Sequence, residues 1–562
     1  MLLGVTLSAK TNSLFKHFPE IQNYLPASQP STCLRKTVAA CHDHLPLHAK
    51  DVACSVKFAA LDALPSADPA VVAEYEYQRG WITDDTRYKT VPVRNASEVP
   101  VASLTDAHVE TLLQRKLIAE IDPSEVRGGV RMFTVPELAK NRLRPIRHTA
   151  DINDALPDPH PDHPVRMITK SGIIKLVHGG DYMAAHDLAG WFDQIQLTNK
   201  ISRRMCFRSG GKVYALTCLP MGQCQSVGVA SAITRRLLDF AHRSTHVEIV
   251  IDNVIFVGDR DAVITDSIEF RRRCAAAGAV LNDLDVPVEH LAVQEGDWCG
   301  LHLDLKNKTV ALTSKSQQRT AMSWDLRHDW TWRGYMAMMG LLFWSYGIVD
   351  VPVHRFFALM QFLSRVSADL AAHPELWDAP ASIWPSALSQ ISEWVQLIAA
   401  NTPRPVPIET EPEWTVATDA SRFGWGYVAF SHSTGEVRTH GAKWDAYMEE
   451  KYGDQLGHST VAEPHGAVNS VLHLFAPRDG VRRIRLATDN SATRWSFGRG
   501  FSTHSMAINT AIGRLRALLP SLIVTMTYLP GEINPADGPS RGRPLSPEQA
   551  KAAANSLRQV MG

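Results

Sequence analysis

EIVIDNVIFVGD, residues 248–259, is apolar on both sides of a polar pair, Asp252 and Asn253. Two short apolar runs separated by two such residues are typical of a β-hairpin. The pattern therefore predicts a hairpin whose tip presents one carboxylate and one carboxamide. Hard divalent cations prefer oxygen ligands, so this tip is a candidate metal site that carries a single charge.

The chain of 562 residues is too long for one ordinary core, and its length predicts several domains. Apolar residues make up 45% and charged residues 21%, values typical of globular proteins. The 58 basic and 58 acidic residues cancel, which excludes a general polycation. A local basic stretch occurs between Asn199 and Arg243, where eight Lys or Arg accompany one Asp. We expect this stretch to contact nucleic acid through Arg203, Arg204 and Arg208.

The eight cysteines form no CxxC pair, which argues against a zinc ribbon and against a disulfide framework. Reduced thiols fit an intracellular protein, cytoplasmic or nuclear. One cluster combines the Cys and His ligands of zinc sites, but its spacing matches no zinc finger or knuckle. Its members are Cys41, His42, His44, His48 and Cys54.

Neither of the two most apolar runs in the sequence is predicted to interact with a membrane. The opening MLLGVTLSAK has a short apolar run without a clear cleavage site, so we expect no signal peptide. The longest uncharged run, residues 334–349, is shorter than the ~20 residues that span a bilayer. This run predicts a buried helix.

The chain divides into segments of different character. Residues 1–104 show no sustained periodicity and receive no predicted role. The spacing of HVETLLQRKLIAEI, residues 108–121, predicts a helix, and RMFTVPEL and LRPIRH predict a hairpin joined by AKNR. Residues 321–402 are predicted to be helical, and the Pro-rich and acidic residues 403–412 a linker. Residues 546–562 are predicted to be a C-terminal tail.

A first group of motifs surrounds the hairpin. HDLAGWFDQIQL places Asp187 at the end of a strand-like segment, with Phe192 five residues later. CLPMGQCQS is a turn that enters an apolar helix, and AGAVLND and WCGLHLD follow the hairpin. Taken singly, an Asp of this kind is often a helix cap and such a Phe a core residue.

Together, these motifs resemble those of a reverse transcriptase across residues 105–320, which would form its fingers and palm. The resemblance implies that Arg144 of RLRPIRHTADIN contacts the incoming triphosphate. It implies that Asp187 is the first catalytic carboxylate and that VIDN replaces the Tyr-x-Asp-Asp turn. LPMGQ, with Met221 and Gly222, would lie under the template and the nucleotide, and WCGLHLD would be the primer-grip hairpin. By the same resemblance Phe192 would exclude a 2′-hydroxyl.

Nucleotidyl transfer explains the need for these residues. A primer oxygen attacks the α-phosphorus while pyrophosphate leaves, and two Mg²⁺ ions about 3.5–4 Å apart stabilise both oxygens. Asp187 and Asp252 are expected to hold the ions, for which Mn²⁺ is a possible substitute. Asn253 departs from the family pattern, as does Val250 where Tyr is usual. Tolerated variation and decay of the polymerase site both remain open at this point.

A second group of motifs lies beyond the predicted linker. It places carboxylates in the order Asp, Glu, Asp, Asp on strand, helix, strand and loop, namely Asp419, Glu463, Asp489 and Asp537. This order resembles a type 1 ribonuclease H across residues 413–545. Four converging carboxylates repel one another unless cations neutralise them, so two Mg²⁺ ions are implied. Some members of that family place a mobile His before the last Asp, and LPGEINPAD has none.

The sequence as a whole predicts an α+β multidomain fold. It would consist of a right-hand polymerase (fingers, palm and helical thumb or connection) and an α/β ribonuclease H-like domain. TDASRFGWG, NPADGPSR and WCGLHLDLKNKTVAL are most similar to DIRS-like, tyrosine-recombinase (VIPER-type) retroelements. The expected partners are an RNA template, a DNA primer, an RNA–DNA hybrid and dNTPs.

Two other functions are compatible with parts of the pattern. A polymerase-inactive, retained protein could bind an RNA–DNA hybrid or act as a scaffold in a ribonucleoprotein, and Asn253 favours this alternative. The four carboxylates of the second group argue against it, because a scaffold does not need them. A telomerase-like polymerase is disfavoured because nothing resembles its RNA-binding domain.

Overall fold

The computed structural model of the protein describes residues 45–137, 140–157, 162–163, 168–408, 411–475 and 483–561. These residues form two compact units. The first unit runs to Val349 and includes Trp377–Ala381 and Ile398–Ile408. The second contains Asp350–Leu376, Ser382–Leu397 and the chain from Glu409 onward.

The first unit mixes helices with short antiparallel sheets. Its strands are β1 (Ile118–Glu120), β2 (Arg131–Glu137), β3 (Arg142–His148), β4 (Tyr182–Asp187), β5 (Cys206–Ser209), β6 (Lys212–Leu216), β7 (His246–Val250), β8 (Asn253–Gly258), β9 (Glu295–Trp298), β10 (Leu301–Asp304), β11 (Thr309–Leu312) and β12 (Arg404–Pro405). Its helices are α1 (Phe58–Asp62), α2 (Pro69–Thr83), α3 (Asp106–Gln114), α4 (Ala150–Asn153), α5 (Lys170–His178), α6 (Trp191–Gln194), α7 (Asn199–Ser202), α8 (Ser226–Leu237), α9 (Arg260–Ala277), α10 (Val288–Leu291), α11 (Ser314–Asp325) and α12 (Trp332–Ser345).

The predicted hairpin exists, but its tip is one residue earlier than predicted. β7 and β8 pair antiparallel with Val250 opposite Asn253, so Ile251 and Asp252 form the tip and Asn253 begins β8. Ile251 has a φ of 60°, a left-handed conformation that is unfavourable for a β-branched residue. The Thr234 hydroxyl donates a 2.8 Å hydrogen bond to the Ile251 carbonyl and holds the turn.

The sheet β4–β8–β7 lies at the centre of the first unit's core. Phe256 of β8 and Phe270 of α9 are fully buried there, as is Trp191 of α6. Residues 45–104, which received no predicted role, contribute to the same core through Leu61 of α1 and Ile82 of α2. The described part of this segment is therefore integral to the first unit.

Three of the five Cys and His residues whose spacing matched no zinc finger or knuckle, Cys41, His42 and His44, lie outside the described residues. The other two members have partners in the first unit. The His48 ring makes a 3.0 Å hydrogen bond with Arg142, and Cys54 Sγ lies 3.4 Å from Cys218 Sγ.

One predicted helix is partly wrong. The helix expected over residues 108–121 ends at Gln114, and β1 begins at Ile118. Lys116 between them has a φ of 56°, which breaks the helix. β1 pairs with β6, so strand pairing overrides the helical propensity of the segment.

Other predicted elements are confirmed. β2 and β3 form the antiparallel hairpin expected of RMFTVPEL and LRPIRH. β9 and β10 form a second hairpin, whose two-residue tip of Cys299 (φ 48°) and Gly300 (φ 82°) has the positive angles of a type I′ turn. The apolar run 334–349 lies largely in α12, which buries Tyr335 and Leu342. Among the described residues, no helix combines the length and apolarity that a bilayer-spanning segment needs.

The predicted linker, 403–412, is only partly correct. Arg404 and Pro405 form β12, the edge strand of the sheet β12–β11–β10–β9. Pro is tolerated at an edge because its missing N–H would face outward from the sheet. The chain passes between the two compact units at several positions, one of which lies between Ile408 and Glu409.

The second unit begins with helices and continues into a mixed sheet. Its elements are α13 (Phe357–Ala372), α14 (Pro385–Ala400, which ends in the first unit), β13 (Trp414–Ser421), β14 (Gly424–Ser431), β15 (Val437–Lys443), α15 (Ala446–Tyr452), α16 (Ser459–Leu474), β16 (Arg483–Thr488), α17 (Ser491–Arg499), α18 (Met506–Leu518), β17 (Ile523–Tyr528), α19 (Asp537–Ser540) and α20 (Pro547–Met561). The strand order is β15–β14–β13–β16–β17, and β16 runs parallel to both β13 and β17.

The C-terminal segment is not a tail. α20 buries Ala554 and Leu557 in a cluster with Val428 and Phe430 of β14. Its apolar positions recur at helical spacing, so the segment can cover one face of the sheet. The unit that contains the four predicted carboxylates therefore extends to residue 561.

Candidate active sites

The first candidate site, here called the hairpin site, consists of Asp187, Asp252 and Asn253. β4 ends at Asp187, and its antiparallel pairing with β8 places Asp187 opposite Asn253. The Leu188 N–H also donates a 3.0 Å hydrogen bond to the Asp252 carbonyl. Strand register therefore brings together two motifs that lie some 65 residues apart in the sequence.

The two carboxylates of the hairpin site repel each other. Burial and the charge of Asp187 raise the pKa of Asp252 to about 6. Burial also raises the pKa of Asp187. Raised pKa values mean that the charged forms of these carboxylates are destabilised, and a bound cation would stabilise them.

Asn253 is turned toward its neighbour. Its side-chain N–H donates a 3.0 Å hydrogen bond to Asp252 Oδ1 and so occupies one oxygen of that carboxylate. An amide oxygen can bind a cation, but it contributes no charge.

Sequence reasoning missed Asn282, which completes this site. Its side-chain N–H donates to Asp187 Oδ2 at 2.5 Å, and its backbone N–H donates to the Asp187 carbonyl at 2.8 Å. The next residue, Asp283, accepts hydrogen bonds of 2.6 Å from His186 and from Arg271. Although burial opposes it, these two partners lower the pKa of Asp283 to about 2. The motif AGAVLND was visible in the sequence, but only the fold shows which of its residues meets Asp187.

The predicted nucleotide contacts lie close together. Arg144 on β3 places Nη2 2.8 Å from Met221 Sδ, and its Nη1 lies 3.7 Å from Glu137. The Gly222 carbonyl accepts a 2.9 Å hydrogen bond from Asn153. The structure therefore joins RLRPIRHTADIN to the LPMGQ loop, whereas contact with a nucleotide stays a prediction.

Phe192 is mostly enclosed. It lies in α6, is 7% exposed and packs in the core of the first unit. The next residue, Asp193, forms a 2.6 Å ion pair with the buried Arg147, which fixes the start of α6. The role of Phe192 in excluding a 2′-hydroxyl stays a prediction.

The basic stretch is largely neutralised by other segments. Arg204 is 8% exposed and forms a two-point ion pair with Asp85, so its contact with nucleic acid, which stays a prediction, would require it to leave this partner. Arg203 pairs with Glu125, and Arg208 donates a 3.2 Å hydrogen bond to the Val99 carbonyl. Counting charges in a sequence window missed these partners because they lie some 80 to 120 residues away.

The second candidate site, here called the four-carboxylate site, lies in the second unit. Asp419 is on β13, Glu463 is near the start of α16, and Asp489 directly follows β16. One oxygen of each lies within 4.8 Å of the others. Because β13 and β16 are adjacent and parallel, both aspartates reach the same end of the sheet, and α16 adds the glutamate.

Glu463 is a buried and poorly satisfied carboxylate of this site. It is 6% exposed, and its Oε2 has no hydrogen-bond partner within the described residues. Its Oε1 is 3.3 Å from the Ala420 N–H. Burial, followed by the charges of Asp419 and Asp489, raises the pKa of Glu463 to about 9. Burial of a carboxylate this poorly satisfied is costly unless a cation binds.

Asp537 lies outside the 4.8 Å cluster, although its charge reaches the cluster. It begins α19 and pairs with Arg541 at 2.8 Å and Arg543 at 3.2 Å. Its charge contributes, after burial, to the raised pKa values of Asp419 and Asp489.

Two further residues of this site were missed. The Ser540 hydroxyl donates to Asp419 Oδ2 and fixes that carboxylate. Glu532, in the turn before Asp537, adds to the raised pKa of Asp489, after burial and the charge of Asp537. Both lie in YLPGEINPADGPSR, where the only signal was proximity to Asp537.

Both sites suit hard divalent cations. Each offers carboxylate oxygens, the donors that Mg²⁺ prefers, and each holds carboxyl groups with raised pKa values. At the four-carboxylate site Asp419, Glu463 and Asp489 would hold the ions, with Asp537 beside them. At the hairpin site Asp187 and Asp252 would hold them.

No protein-family model matches the sequence, and no curated protein matches it. Solved structures of a foamy viral protease–reverse transcriptase are similar to the chain. Its dRH form in complex with double-stranded DNA is 14% identical with a TM-score of 0.47, covering 94% of this chain and 83% of that chain. A complex with double-stranded DNA is 13% identical with a TM-score of 0.45, and the match covers 93% of this chain and 97% of that chain. A complex with an RNA/DNA hybrid is 14% identical with a TM-score of 0.43, and the match covers 84% of this chain and 63% of that chain. At these values the likeness does not assign an activity.

Proposed function

We propose that the protein is an RNA-directed DNA polymerase with type 1 ribonuclease H activity. The observation that carries the proposal is the four-carboxylate site, where three acidic oxygens lie within 4.8 Å and a buried Glu463 oxygen has no described partner. Such a cluster is unfavourable without cations and suits phosphodiester chemistry with them. The hairpin site, in a separate compact unit, supplies a second and independent set of carboxylates.

In the proposed polymerase, Asp187 and Asp252 would hold two divalent ions near the primer 3′-oxygen. Bound Mg²⁺ or Mn²⁺ would stabilise the charge on the attacking and leaving oxygens. Asn282 holds the Asp187 carboxylate in place through its 2.5 Å hydrogen bond. Asn253 takes a peripheral role, since an amide adds no charge.

The other nucleotide contacts of the proposal come from the fingers hairpin and the neighbouring loop. Arg144 binds the triphosphate, Met221 and Gly222 lie beneath the template base, and Phe192 excludes a 2′-hydroxyl so that dNTPs are used. Arg203, Arg204 and Arg208 are the candidates for backbone contacts. All three have protein partners in this structure, so binding of a hybrid would exchange those partners for phosphates.

In the proposed ribonuclease, Asp419, Glu463 and Asp489, with Asp537 beside them, would hold two divalent ions. Such ions would supply activation of a water and stabilisation of the leaving 3′-oxygen of the RNA strand. Ser540 orients Asp419, while Arg541 and Arg543 hold Asp537. The pair of activities suits an element that copies RNA into DNA, and the motif resemblance favours a DIRS-like retroelement.

The test is a pair of assays on one purified preparation. Primer extension on a poly-RNA template and cleavage of a labelled RNA–DNA hybrid are measured with Mg²⁺ and with Mn²⁺. The double variant Asp252→Ala/Asp489→Asn serves as the control for contaminating enzymes. We expect the wild type to do both reactions and the double variant neither. Hybrid cleavage equal in the two preparations would refute the ribonuclease assignment.

A second candidate function follows from the hydrogen bond between Asn253 and Asp252. Because the amide occupies an oxygen that a metal would need, a polymerase-inactive protein that binds or cleaves hybrids is the alternative. In that case the wild type would cleave hybrid and show no extension with either metal. Rescue of extension by Asn253→Asp would identify the missing carboxylate as the defect.

A further inference from the structure

A segment without a predicted role lies against the hairpin site. Residues 45–57, here called the strap, are anchored to the first unit by backbone hydrogen bonds. The Cys54 N–H donates to Asp193 at 2.9 Å, the Val56 N–H to Gln194 at 3.1 Å and the Lys57 N–H to Ala277 at 2.8 Å. These contacts hold the C-terminal end of the strap against α6 and the end of α9.

Lys50 of the strap reaches the hairpin site directly. Its Nζ donates a 2.6 Å hydrogen bond to Asn282 Oδ1, and Asn282 in turn donates to Asp187. The Lys50 stem passes over Gly190, where an added Cβ would meet Lys50 Cδ at 3.4 Å. Gly190 also has a φ of 56°, so Gly suits this position both for its backbone and for its neighbour.

The charge of Lys50 acts on both carboxylates. Burial raises the pKa of Asp187 and of Asp252, and among the opposing influences the positive charge of Lys50 lowers both pKa values. The ionisable groups whose charges reach this site are Asp187, Asp252 and Lys50, together with Asp283, which is itself paired with Arg271 and His186. With Asn253 neutral and Asp283 paired, the ammonium of Lys50 offsets one of the two remaining negative charges.

We propose that Lys50 is a positioning residue that supplies the resident counter-charge of the hairpin site and so sets the metal concentration at which that site loads. The inference rests on the proposed polymerase function. Without metal, the ammonium holds Asn282 against Asp187 and offsets the repulsion of Asp187 and Asp252. When a divalent ion enters, the same ammonium repels it, so the ion binds more weakly than it would beside a neutral residue.

The experiment measures Mn²⁺ binding by electron paramagnetic resonance in a Glu463→Gln/Asp489→Asn background, which weakens binding at the other site. Neutral variants Lys50→Met and Lys50→Gln should tighten binding about tenfold, the effect of one unit charge on a divalent ion at short range in a water-like dielectric. Lys50→Arg keeps the charge and should stay within about twofold of the parent. Lys57→Met removes a positive charge elsewhere on the strap and is the matched control. Its Mn²⁺ affinity should also stay within about twofold of the parent.

Tighter binding is the result that distinguishes a counter-charge from a structural role, because loss of packing or of the Asn282 contact would weaken binding. Weaker or unchanged binding in both neutral variants would overturn the proposal. A change in Lys50→Met that Lys50→Gln does not share would also overturn it, since the hydrogen bond rather than the charge would then be responsible. Cooperative thermal unfolding of each variant confirms that it is folded.

The failure of the proposed function has a different signature. If the background binds no Mn²⁺ that Asp252→Asn removes, the hairpin site holds no metal, and both the proposed polymerase activity and the role of Lys50 are refuted. If Asp252→Asn removes the binding but the neutral Lys50 variants leave the affinity unchanged, only the role of Lys50 is wrong.

Discussion

The two candidate sites differ in how much negative charge they gather. The hairpin site has two carboxylates, a neutral Asn253 and the ammonium of Lys50. The four-carboxylate site has three acidic oxygens within 4.8 Å and a fourth carboxylate held by two arginines. Burial is the first cause of both raised pKa values. The charge of Asp187 adds to that of Asp252, which rises to about 6, and the charges of Asp419 and Asp489 add to that of Glu463, which rises to about 9. The comparison teaches that two clusters of carboxylates in one chain can differ in electrostatic repulsion, and we expect the cluster with more neighbouring charges to gain more from a bound cation.

The largest expected effect is the separation of the two activities. Asp489→Asn should abolish hybrid cleavage and spare primer extension, and Asp252→Ala should do the reverse, because each site lies in its own compact unit. Loss of a metal ligand removes several kcal/mol of transition-state stabilisation, or at least about 1000-fold in rate. Both assays are run on each variant after its thermal unfolding has been checked. Loss of both activities from either change, with the fold intact, would contradict the comparison.

The second effect concerns stability without metal. The folded-state pKa of Glu463 is raised, so its contribution is fully present below the ordinary pKa near 4.5 and is lost as pH rises toward about 9. Between pH 5 and pH 7 the second unit should lose about 3 kcal/mol through this group, at 1.36 kcal/mol per pH unit. The measurement is denaturant unfolding in EDTA.

Two comparisons isolate the cause of that loss. Glu463→Gln has no charge to develop, so its stability should depend less on pH than that of the wild type. Saturating Mg²⁺ should restore the wild type at pH 7 by binding only the folded state. An identical pH dependence in wild type and Glu463→Gln would show that the cost lies elsewhere.

The third effect is smaller and concerns the hydrogen bond that orients the Asp419 carboxylate. Ser540→Ala removes the hydroxyl that donates to Asp419. Groups that orient metal ligands contribute about 10–100-fold in metal affinity, and we expect the low end for a single neutral donor. The Mg²⁺ concentration at half-maximal cleavage should rise about tenfold, while primer extension is unchanged. Ser546→Ala, in the same unit but away from Asp419, is the control. A lower maximal rate without a shift in Mg²⁺ dependence would assign Ser540 a different role.

The smallest effect is expected from Asn253→Asp, which reduces the difference in negative charge between the two sites. The added carboxylate should lower the Mg²⁺ concentration needed for extension by roughly threefold, since the residue is peripheral to Asp187 and Asp252. Primer extension is titrated with Mg²⁺ and with Mn²⁺, and Asn282→Asp is compared because it adds the same charge on the other side of Asp187. A rise in the required Mg²⁺ would contradict the view that charge limits the hairpin site.

Local patterns were sufficient to predict three of the hairpins. The hairpins β7–β8, β2–β3 and β9–β10 follow from alternating apolar runs broken by turn residues. Such signals are reliable because strand and turn preferences act over a few residues. They were less reliable where a longer-range contact competes. The segment at Ile118 pairs with β6 instead of continuing a helix, and residues 547–561 fold as a helix on a sheet whose face they cover.

The sequence by itself determined which residue types are available and which elements carry them: Asp187 at a strand end, Asp252 in a hairpin, and four acidic residues in a strand, helix, strand, loop order. Only the tertiary structure decided which charges meet. It buried Arg204 against Asp85, left Glu463 Oε2 without a described partner and brought Lys50 to Asn282, across 232 positions. The physical reason is that backbone preferences are local, whereas electrostatic energies depend on distances in space and on burial. No window of sequence contains those quantities.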